Sequence, residues 1–581
     1  MTPKEIFLEL LKKDGRPERL LDQYEALYLS FGDPISRYVN EGVGKGKTAV
    51  NKWGVTVTWP EDAPGSIPVH SEEKTVLKDI THWRDYVHAP DIEAHCQEGW
   101  DEFRERKRAK CGDDHILCGY MATGMFEQCH FLMGFEDTLT NLYEHPKEMH
   151  ELIDYIADYR IRYAKMLIDN LHPDAIFSHD DWGAKTQLFM KPEIWREFFK
   201  EPYRRFYGMI RDAGVIAIHH SDSYLVPILD DMVEIGIQCW QGILPENNIP
   251  EVIRYLDGRM AVMGGIGAAI DRADAAEEEV RAYVRDVLQT DGPLGHFIPS
   301  ITYGIKGTVF PHVDPYIDDE IAKYNAEVHI PHYNMPVTGR KYVLKPDRSG
   351  DDKGTADDGS SAALRQNGFG EGVLADVAEA LWKGNKSRTL HAVRSALDEG
   401  HTAQEILGGG LIRGMQKVGD DFTDGNLFVS EMLLSAKCMT AAIDLLRPHM
   451  TGDSAEQLGR VCIGTVKGDL HDIGKNLVKI MLEGSGFDVI DLGSDVSAGE
   501  FVETAKTKHC DFICCSSLLT TTMGEMGRVV ELAKEAGIRD QVKIMVGGAP
   551  VTQSFCDEIG ADIYTDDAAE AARAAVEAVQ S

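Results

Sequence analysis

The chain has 581 residues, of which 43% are hydrophobic and 27% charged, which is ordinary for globular protein and long enough for several folding units. Asp plus Glu is 95 against 60 for Lys plus Arg, a net charge of −35, which excludes a general nucleic-acid or anionic-membrane binder. The 11 Cys are odd in number and irregularly spaced, so they do not form a disulfide framework.

The start, Met1 to Leu21, mixes charges with its apolar residues and is not a secretory signal. No run is long and apolar enough for a transmembrane helix, so a cytoplasmic protein is expected, with no membrane and no nucleic-acid partner. The glycine loop Gly42-Val43-Gly44-Lys45-Gly46-Lys47-Thr48 imitates a phosphate loop. The pattern needs Gly at 41, where Glu41 stands, and no strong strand precedes it.

From there to residue 337, short apolar runs alternate with helical patterns. Ile116–Tyr120, Ala175–Ser178, Val215–Ile218, Ile237–Trp240, Ala261–Gly265 and Phe297–Ile301 read as buried parallel strands. Pro146–Asn170 and Pro192–Asp212 read as helices between them. Repeated β-then-α units predict a (β/α)8 TIM barrel, with an open Rossmann-type sheet as the competitor. Polar residues gather after several strands: Ser178–Asp181, His219–Ser223 and Trp240–Gln241. Strand C-terminal ends are where a barrel places its chemistry. The candidates there are His220, Asp222, Asp180 and Asp181. The two Asp of the 180–181 pair can equally be loop caps. His219 and His220 face opposite ways if the strand continues, and His220 is the one assigned to the site. Trp240 and Cys239 read as core.

Residues 338–370 are rich in Gly, Ser, Asp and Lys without apolar period, and read as a flexible linker. About 30 such residues reach on the order of 30 Å. Residues 371–452 carry helix-period apolar positions with Gly breaks and predict a small helical bundle. Residues 453–581 alternate again. Val461–Val466, Asp488–Leu492, Phe512–Cys515 and Lys543–Val546 read as strands of a doubly wound sheet.

The strongest motif is Gly468-Asp469-Leu470-His471-Asp472-Ile473-Gly474-Lys475-Asn476, on the loop leaving the first of these strands. A metal-ligating imidazole gives its second ring N–H to a carboxylate, and Asp469 is placed to take it from His471. Gly474 lets a bulky ligand approach the backbone. Ser516-Ser517-Leu518-Leu519-Thr520-Thr521-Thr522 and Gly547-Gly548-Ala549-Pro550 follow later strands in the same order. Over about residues 373–578 the chain resembles the cobalamin-binding domain of methionine synthase and of small corrinoid proteins. The helical segment with Val418-Gly419, Phe422 and Phe428-Val429-Ser430-Glu431-Met432 resembles that family's cap. The resemblance implies cobalamin as cofactor and His471 as the cobalt axial ligand. It implies a proton relay of Asp469 and Ser516 behind His471. It also places the nucleotide tail on Ser516, Leu518, Thr520, Gly547 and Gly548. Cys514 and Cys515, adjacent on a strand, face opposite sides and read as core.

The N-terminal half has Asn51-Lys52-Trp53-Gly54-Val55, Phe135-Glu136, Asp180-Asp181-Trp182-Gly183, His219-His220-Ser221-Asp222-Ser223 and Gly264-Gly265-Ile266 in that order. Over about residues 1–335 it resembles the uroporphyrinogen decarboxylase superfamily, in its methyltransferase branch. Zinc-bearing members of that branch carry His-x-Cys after a barrel strand and a second Cys near the last strand. Here Asp222 stands at the first Cys position, and Thr302 or Tyr303 near the second. A thiol-based zinc site is therefore not expected; His220 with Asp222 is the candidate for zinc through nitrogen and oxygen.

Together the two resemblances imply a one-chain corrinoid methyltransferase. A small methyl donor would bind in the barrel and give its methyl group to Co(I) of the cobalamin in the same chain. The polar barrel mouth suits an oxygen leaving group, which favours an O-methyl donor such as a methoxylated aromatic. The partners implied are a second methyltransferase acting on tetrahydrofolate or a thiol, and a reductive activase for Co(II). A methyl halide methyltransferase of the same architecture and a non-catalytic cobalamin carrier are the alternatives. A tetrapyrrole decarboxylase would need N-terminal arginines, but Arg16 and Arg19 sit in what reads as a solvated loop. A radical mutase would need a different barrel partner.

Overall fold

The structure, a computed structural model, describes residues 1–60, 65–71, 73–267, 270, 275–302, 312–327, 369–449, 458–469, 473–517, 522–548, 551–565 and 568–580. The chain divides into two compact units, Met1–Lys353 and Gly354–Ser581. Apart from residues 369 and 370, the segment expected as a linker lies outside the described residues, as does the expected boundary at 452/453.

In the first unit, β1 (Leu27–Ser30) is followed by a small antiparallel sheet of β2 (Lys47–Val50), β3 (Thr56–Trp59) and β4 (Ile67–Pro68). The glycine loop that imitates a phosphate loop leads into β2. Then come β5 (Ile116–Met121), β6 (Ala175–His179), β7 (Ile216–His220), β8 (Cys239–Ile243), β9 (Ala261–Ile266) and β10 (Phe297–Ile301). Seven strands make one parallel sheet in the order β1-β5-β6-β7-β8-β9-β10. The order never reverses, as a Rossmann-type sheet would require, so this is the curled sheet of a TIM-type barrel. The expected strands are all present; β1, short and half-polar, escaped the apolar-run criterion.

Gln23, just ahead of β1, ties the two edges together. Its N–H donates to the Pro299 carbonyl of β10 at 3.1 Å, and its side chain accepts from the Ile301 N–H at 3.4 Å. Its amide also donates to Asp318 at 3.1 Å.

Inward residues of the seven strands form one apolar cluster, including Ile116, Cys118, Phe177, Ile218, Cys239, Met263 and Ile298. Ile6, Phe7 and Leu10 join it from the helix Pro3–Leu10, which opens with Pro and a capping box of Thr2 and Glu5. Lys4 N–H bonds the Asp114 carbonyl and His296 bonds the Leu10 carbonyl, both just before strands begin. The helix therefore covers the N-terminal end of the barrel, and the opposite, C-terminal end is left for chemistry. The helix Pro146–Leu171 buries Met149, Leu152, Ile153, Ile156 and Ala157 at helical spacing against the sheet. The helix expected over 192–212 is present, widened by a π-helical stretch at Arg196–Lys200.

In the second unit, helices Val373–Trp382, Lys386–Asp398, Arg413–Thr423 and Val429–Leu446 form the expected bundle. β11 (Arg460–Thr465), β12 (Asp488–Asp491), β13 (Phe512–Ser516), β14 (Lys543–Gly547) and β15 (Ile563–Tyr564) form a parallel sheet ordered β12-β11-β13-β14-β15. The order reverses between β11 and β13, and the loops leaving those two strands flank the switch point, where such sheets bind ligands. Cys514 and Cys515 are buried, as expected. Among the described residues, no helix is long and apolar enough to cross a membrane.

Replacing Gln23 by Ala removes its side-chain bonds across the barrel seam and leaves buried polar groups unpaired. A loss of about 1–3 kcal/mol is expected, read as a lowered denaturation midpoint of the full chain; an unchanged midpoint would remove Gln23 from that role.

Candidate active site and cofactor loop

The ends of β6, β7 and β8 are in parallel register. His179 pairs with His220, and His220 with Gln241; one residue earlier, Ser178 pairs with His219, and His219 with Trp240. Side chains alternate along a strand, so His179, His220 and Gln241 share the face of Phe177, Ile218 and Cys239, which point into the barrel. They form a polar layer above that apolar interior. The other row faces the helices. Ser178 accepts from Arg160 at 2.8 Å, His219 bonds Tyr207 at 2.7 Å and stacks on Trp182, and Trp240 donates to the Ser221 carbonyl. Of the two neighbouring histidines, His220 therefore reaches the barrel mouth and His219 belongs to the wall. Cys239 and Trp240 are fully buried, as expected.

The layer is held by specific partners. His179 Nδ1 bonds the Glu127 carboxylate at 3.0 Å, and Glu127 also accepts from the Gly124 N–H at 2.9 Å. Burial works against charge on His179, but the Glu127 carboxylate and Asp181 outweigh it and raise its pKa well above the ordinary value. Burial likewise opposes charge on Glu127, yet its tie to His179 lowers it to about 2. His220 Nδ1 bonds the Gln241 side-chain oxygen, and its ring stacks on His179 at 4.4 Å and 21°. Burial and the neighbouring His179 charge push His220 down to about 4, so it is neutral.

Asp180 has a different duty from Asp181. It is completely buried and accepts from the Phe126 N–H at 3.0 Å, the Glu127 N–H at 2.9 Å and Trp182 Nε1 at 3.0 Å, as well as from the Tyr203 hydroxyl. Two of these N–H groups open the helix Met125–Met133, so Asp180 caps it. A Cβ on Gly124 would lie 1.9 Å from the Asp180 side chain, which is why glycine precedes that helix. Burial, then the Glu127 charge, raise Asp180 to about 7 against the pull of these donors. Asp180 is thus a positioning residue that fixes Glu127, and through it His179.

Asp181 turns toward the mouth. Its carboxylate accepts the Asp222 N–H at 3.1 Å. Burial and the Asp181 charge raise the Asp222 pKa well above the usual carboxyl range. Ligand atoms of His179, Asp181 and His220 all lie within 4.8 Å of one another, the one such cluster among the described residues. Asp222, expected to share a metal with His220, is not in it: it lies past the end of β7 and is turned against Asp181. Sequence reasoning passed over His179, Glu127 and Gln241. The inward alternation Phe177–His179 and Cys239–Gln241 is the signal for two of them; Glu127, on a helix more than 50 residues away, left none. Thr302 is buried at the end of β10, and Tyr303 lies outside the described residues. Arg19 is paired with Glu25 at 2.6 Å and Arg16 is exposed on the loop after the first helix.

In the second unit, Asp469 is fully buried at the switch point. It accepts from Thr522 at 3.1 Å and from Ser517 at 3.3 Å, and those two hydroxyls bond each other at 2.8 Å. The hydroxyl facing Asp469 is therefore that of Ser517, where Ser516 was expected. Ser516 is the last ladder residue of β13, opposite Thr465 and Gly547, and the next residue along points the other way. His471, Leu518 and Thr520 lie outside the described residues. Gly548 has φ +127°, and a Cβ there would come 1.9 Å from the Ser517 carbonyl. Glycine thus lets the loops after β13 and β14 close together. Gly474 stands in the first turn of the helix Ile473–Gly484, and a Cβ there would meet nothing within 4 Å. A buried carboxylate with hydroxyl partners two residues before position 471, beside an open glycine, fits the support of a metal-ligating imidazole.

Comparison with known proteins agrees. Residues 459–576 match the B12 binding domain and residues 373–447 a second B12 binding domain family. Residues 49–312 match uroporphyrinogen decarboxylase (URO-D). Dimethylamine corrinoid protein 3 of Methanosarcina acetivorans is 44% identical over 207 residues, 36% of this chain and 97% of its own length. Trimethylamine corrinoid protein 2 of the same organism is 44% identical over 213 residues, 36% of this chain and 98% of its own. A solved methyltransferase from Methanosarcina mazei is 14% identical with a TM-score of 0.42, covering 56% of this chain and 99% of that one. With the cobalamin loop and the barrel both in place, the chain belongs to the corrinoid protein family, with a uroporphyrinogen decarboxylase-type domain fused ahead of its cobalamin-binding part.

Proposed function

We propose that this chain is a corrinoid-dependent methyltransferase that takes the methyl group of an O-methyl compound, such as a methoxylated aromatic, in its barrel. The observation that carries this reading is the polar layer at the barrel mouth, where His179, His220 and Asp181, which accepts the Asp222 N–H, converge over an apolar interior. Cobalamin, when bound, supplies the cobalt nucleophile to which the methyl group passes.

The chain's own residues have three tasks. Asp469, with Ser517 and Thr522 behind it, orients and polarises the imidazole of His471, the residue we assign as the axial ligand. Gly474, Gly547 and Gly548 keep the loops around it clear of side chains, and Ser516, Leu518 and Thr520 are assigned to the nucleotide tail. In the barrel, an ether oxygen leaves poorly as an anion, and the site must give it a proton or a Lewis acid. Burial and the Asp181 charge shift the Asp222 carboxyl toward its protonated form, and Asp222 Oδ is the atom we assign as proton donor to the leaving oxygen. His220, neutral and fixed by Gln241, orients the donor, and Asp180 positions the Glu127–His179 pair. A thiol acceptor gains no support from these residues. A second methyltransferase, delivering the group to tetrahydrofolate or a thiol, and a reductive activase are the partners this reading needs; the corrinoid relatives named above belong to methylamine systems.

A methyl halide donor would need none of the proton-donating apparatus, because chloride leaves unaided. A carrier without catalysis would leave the converging polar layer without purpose.

The full chain, reconstituted with cobalamin and reduced anaerobically to Co(I), is expected to show a donor-dependent change in its absorption spectrum with methoxylated aromatics. Methylamines should give none. Asp222→Ala or His220→Ala should slow that change by about 100-fold or more; wild-type rates in both variants would sink the assignment.

The cobalamin site has its own test. His471→Ala should fold and bind cobalamin but lose the nitrogen splitting of the Co(II) electron-spin spectrum, and Asp469→Ala should bind cobalamin more weakly. Persistence of the nitrogen signal in His471→Ala would place the lower ligand elsewhere.

A further inference from the structure

We propose that the β1 and β5 side of the barrel mouth is a platform for an aromatic ring, with Phe31 and Tyr120 as the residues that select an aryl over an alkyl ligand. That this ring belongs to the methyl donor rests on the function proposed above; that a ring binds there does not.

Strand register sets up the platform. Leu29 pairs with Cys118, and Tyr120 with Phe177. All four belong to the apolar interior or pack against it. Phe31 lies two residues beyond Leu29 and so faces the same way. Its ring meets that of Tyr120 at 4.6 Å and 58°. From there the rings run on toward the polar layer: Tyr120 stacks on Phe177 at 5.9 Å and 26°, and Phe177 on His220 at 6.1 Å and 25°. Burial raises the Tyr120 pKa and keeps it a neutral phenol, while His179, Glu127 and Asp181 act on it electrostatically. The aromatic pair is therefore the neighbour of the ionisable groups.

Phe31 is open where an inward residue of a barrel is covered elsewhere. It is 42% exposed, although it faces the interior side and touches a second ring. A lone apolar side chain on an outer surface needs no explanation, but this one stands at the end of the barrel where chemistry is placed. The residues that follow do not cover it. Asp33 is turned away: it accepts the Ile35 and Ser36 N–H groups at 2.9 and 3.0 Å, capping the next helix, and the Tyr163 hydroxyl at 2.9 Å. After Tyr120 come Met121, which is buried, and Ala122, which is exposed and carries a single methyl group. Among the described residues, the polar layer of His179, His220 and Gln241 thus has no counterpart on β1 and β5, and an apolar ledge of rings takes its place.

Such a ledge discriminates between ligands. Ring faces are negative and ring edges positive, so a third ring gains offset-stacked or edge-to-face contacts beyond the area it buries, and an alkyl chain gains the area alone. Apolar walls with a few polar groups at one end are also the make-up of small-molecule sites.

The test reads binding without turnover. The full chain carrying Co(III) cobalamin, in which cobalt is no nucleophile, is titrated calorimetrically with 2-methoxyphenol and with its aliphatic counterpart 2-methoxyethanol. Wild type is expected to bind the aryl ether at least about 10-fold more tightly. Phe31→Ala and Tyr120→Leu should each weaken it about 10-fold and leave the alkyl ether unchanged, while Tyr120→Phe keeps wild-type affinity. Circular dichroism checks the fold, and Phe31→Ala, at a half-open position, decides the case if Tyr120→Leu does not fold. Equal affinity of the wild type for the two ethers, no binding of the aryl ether, or wild-type affinity for it in Phe31→Ala would overturn the platform. Selective aryl binding by a chain whose Co(I) form is never methylated would leave the platform standing and remove the methyltransferase reading. Methylation from 2-methoxyphenol at wild-type kcat/KM in Phe31→Ala would do the reverse.

Discussion

Parallel strands in register present side chains two apart on one face, and at the ends of β6, β7 and β8 this constraint separates chemistry from support. One row, His179, His220 and Gln241, looks into the barrel; the row below it in sequence, Ser178, His219 and Trp240, looks out at the helices. A one-residue slip would exchange the two rows. It would turn His219 and Trp240 into the mouth and bury His220 against Tyr207. The tight, fully buried outer row, in which each member has a specific polar partner, is what makes such a slip costly.

The charges at the mouth follow from the same arrangement. A buried carboxylate is tolerated only when donors surround it. Asp180 has two backbone N–H groups, an indole and a phenol, and so takes no part in ligand binding. That saturation lets Asp180 anchor the start of the helix carrying Glu127. Glu127 then brings a carboxylate to His179 from outside the barrel strands. Asp181, one residue on, accepts the Asp222 N–H and keeps its outlook on the mouth. Two adjacent aspartates past the end of β6 thus do opposite jobs, one meeting the N–H groups that open the helix Met125–Met133 and the other the Asp222 N–H.

Most of the architecture was legible. The apolar runs located six of the seven barrel strands, since strands buried on both faces read as continuous hydrophobic stretches. The corrinoid domain was legible from Asp469-x-His471-x-x-Gly474 because the residues of that motif are neighbours in sequence. The barrel site was only half legible. His220 and Asp222 stand in one motif, but Glu127 is brought to His179 by tertiary packing across 52 positions. No local pattern records that meeting. Ser516 was taken for Ser517 for a related reason: two adjacent serines at a strand end differ only in which way the ladder turns them.

On the resemblance drawn above, oxygen donors stand in this barrel where zinc-bearing methyltransferases carry thiols. Thiolates bind zinc tightly and suit a site that presents a metal to sulfur. Here the corresponding position holds Asp222, which is hydrogen-bonded to Asp181 and shifted toward its protonated form. A site in which one carboxyl keeps a proton while its neighbour stays open to a cation can offer an acid and an electrophile side by side. An ether oxygen requires one of these kinds of help, since it leaves poorly as a free anion. A halide requires neither. In the function proposed above, the pairing of Asp181 with Asp222, and not the loss of the cysteines alone, is therefore the feature that favours an O-methyl donor.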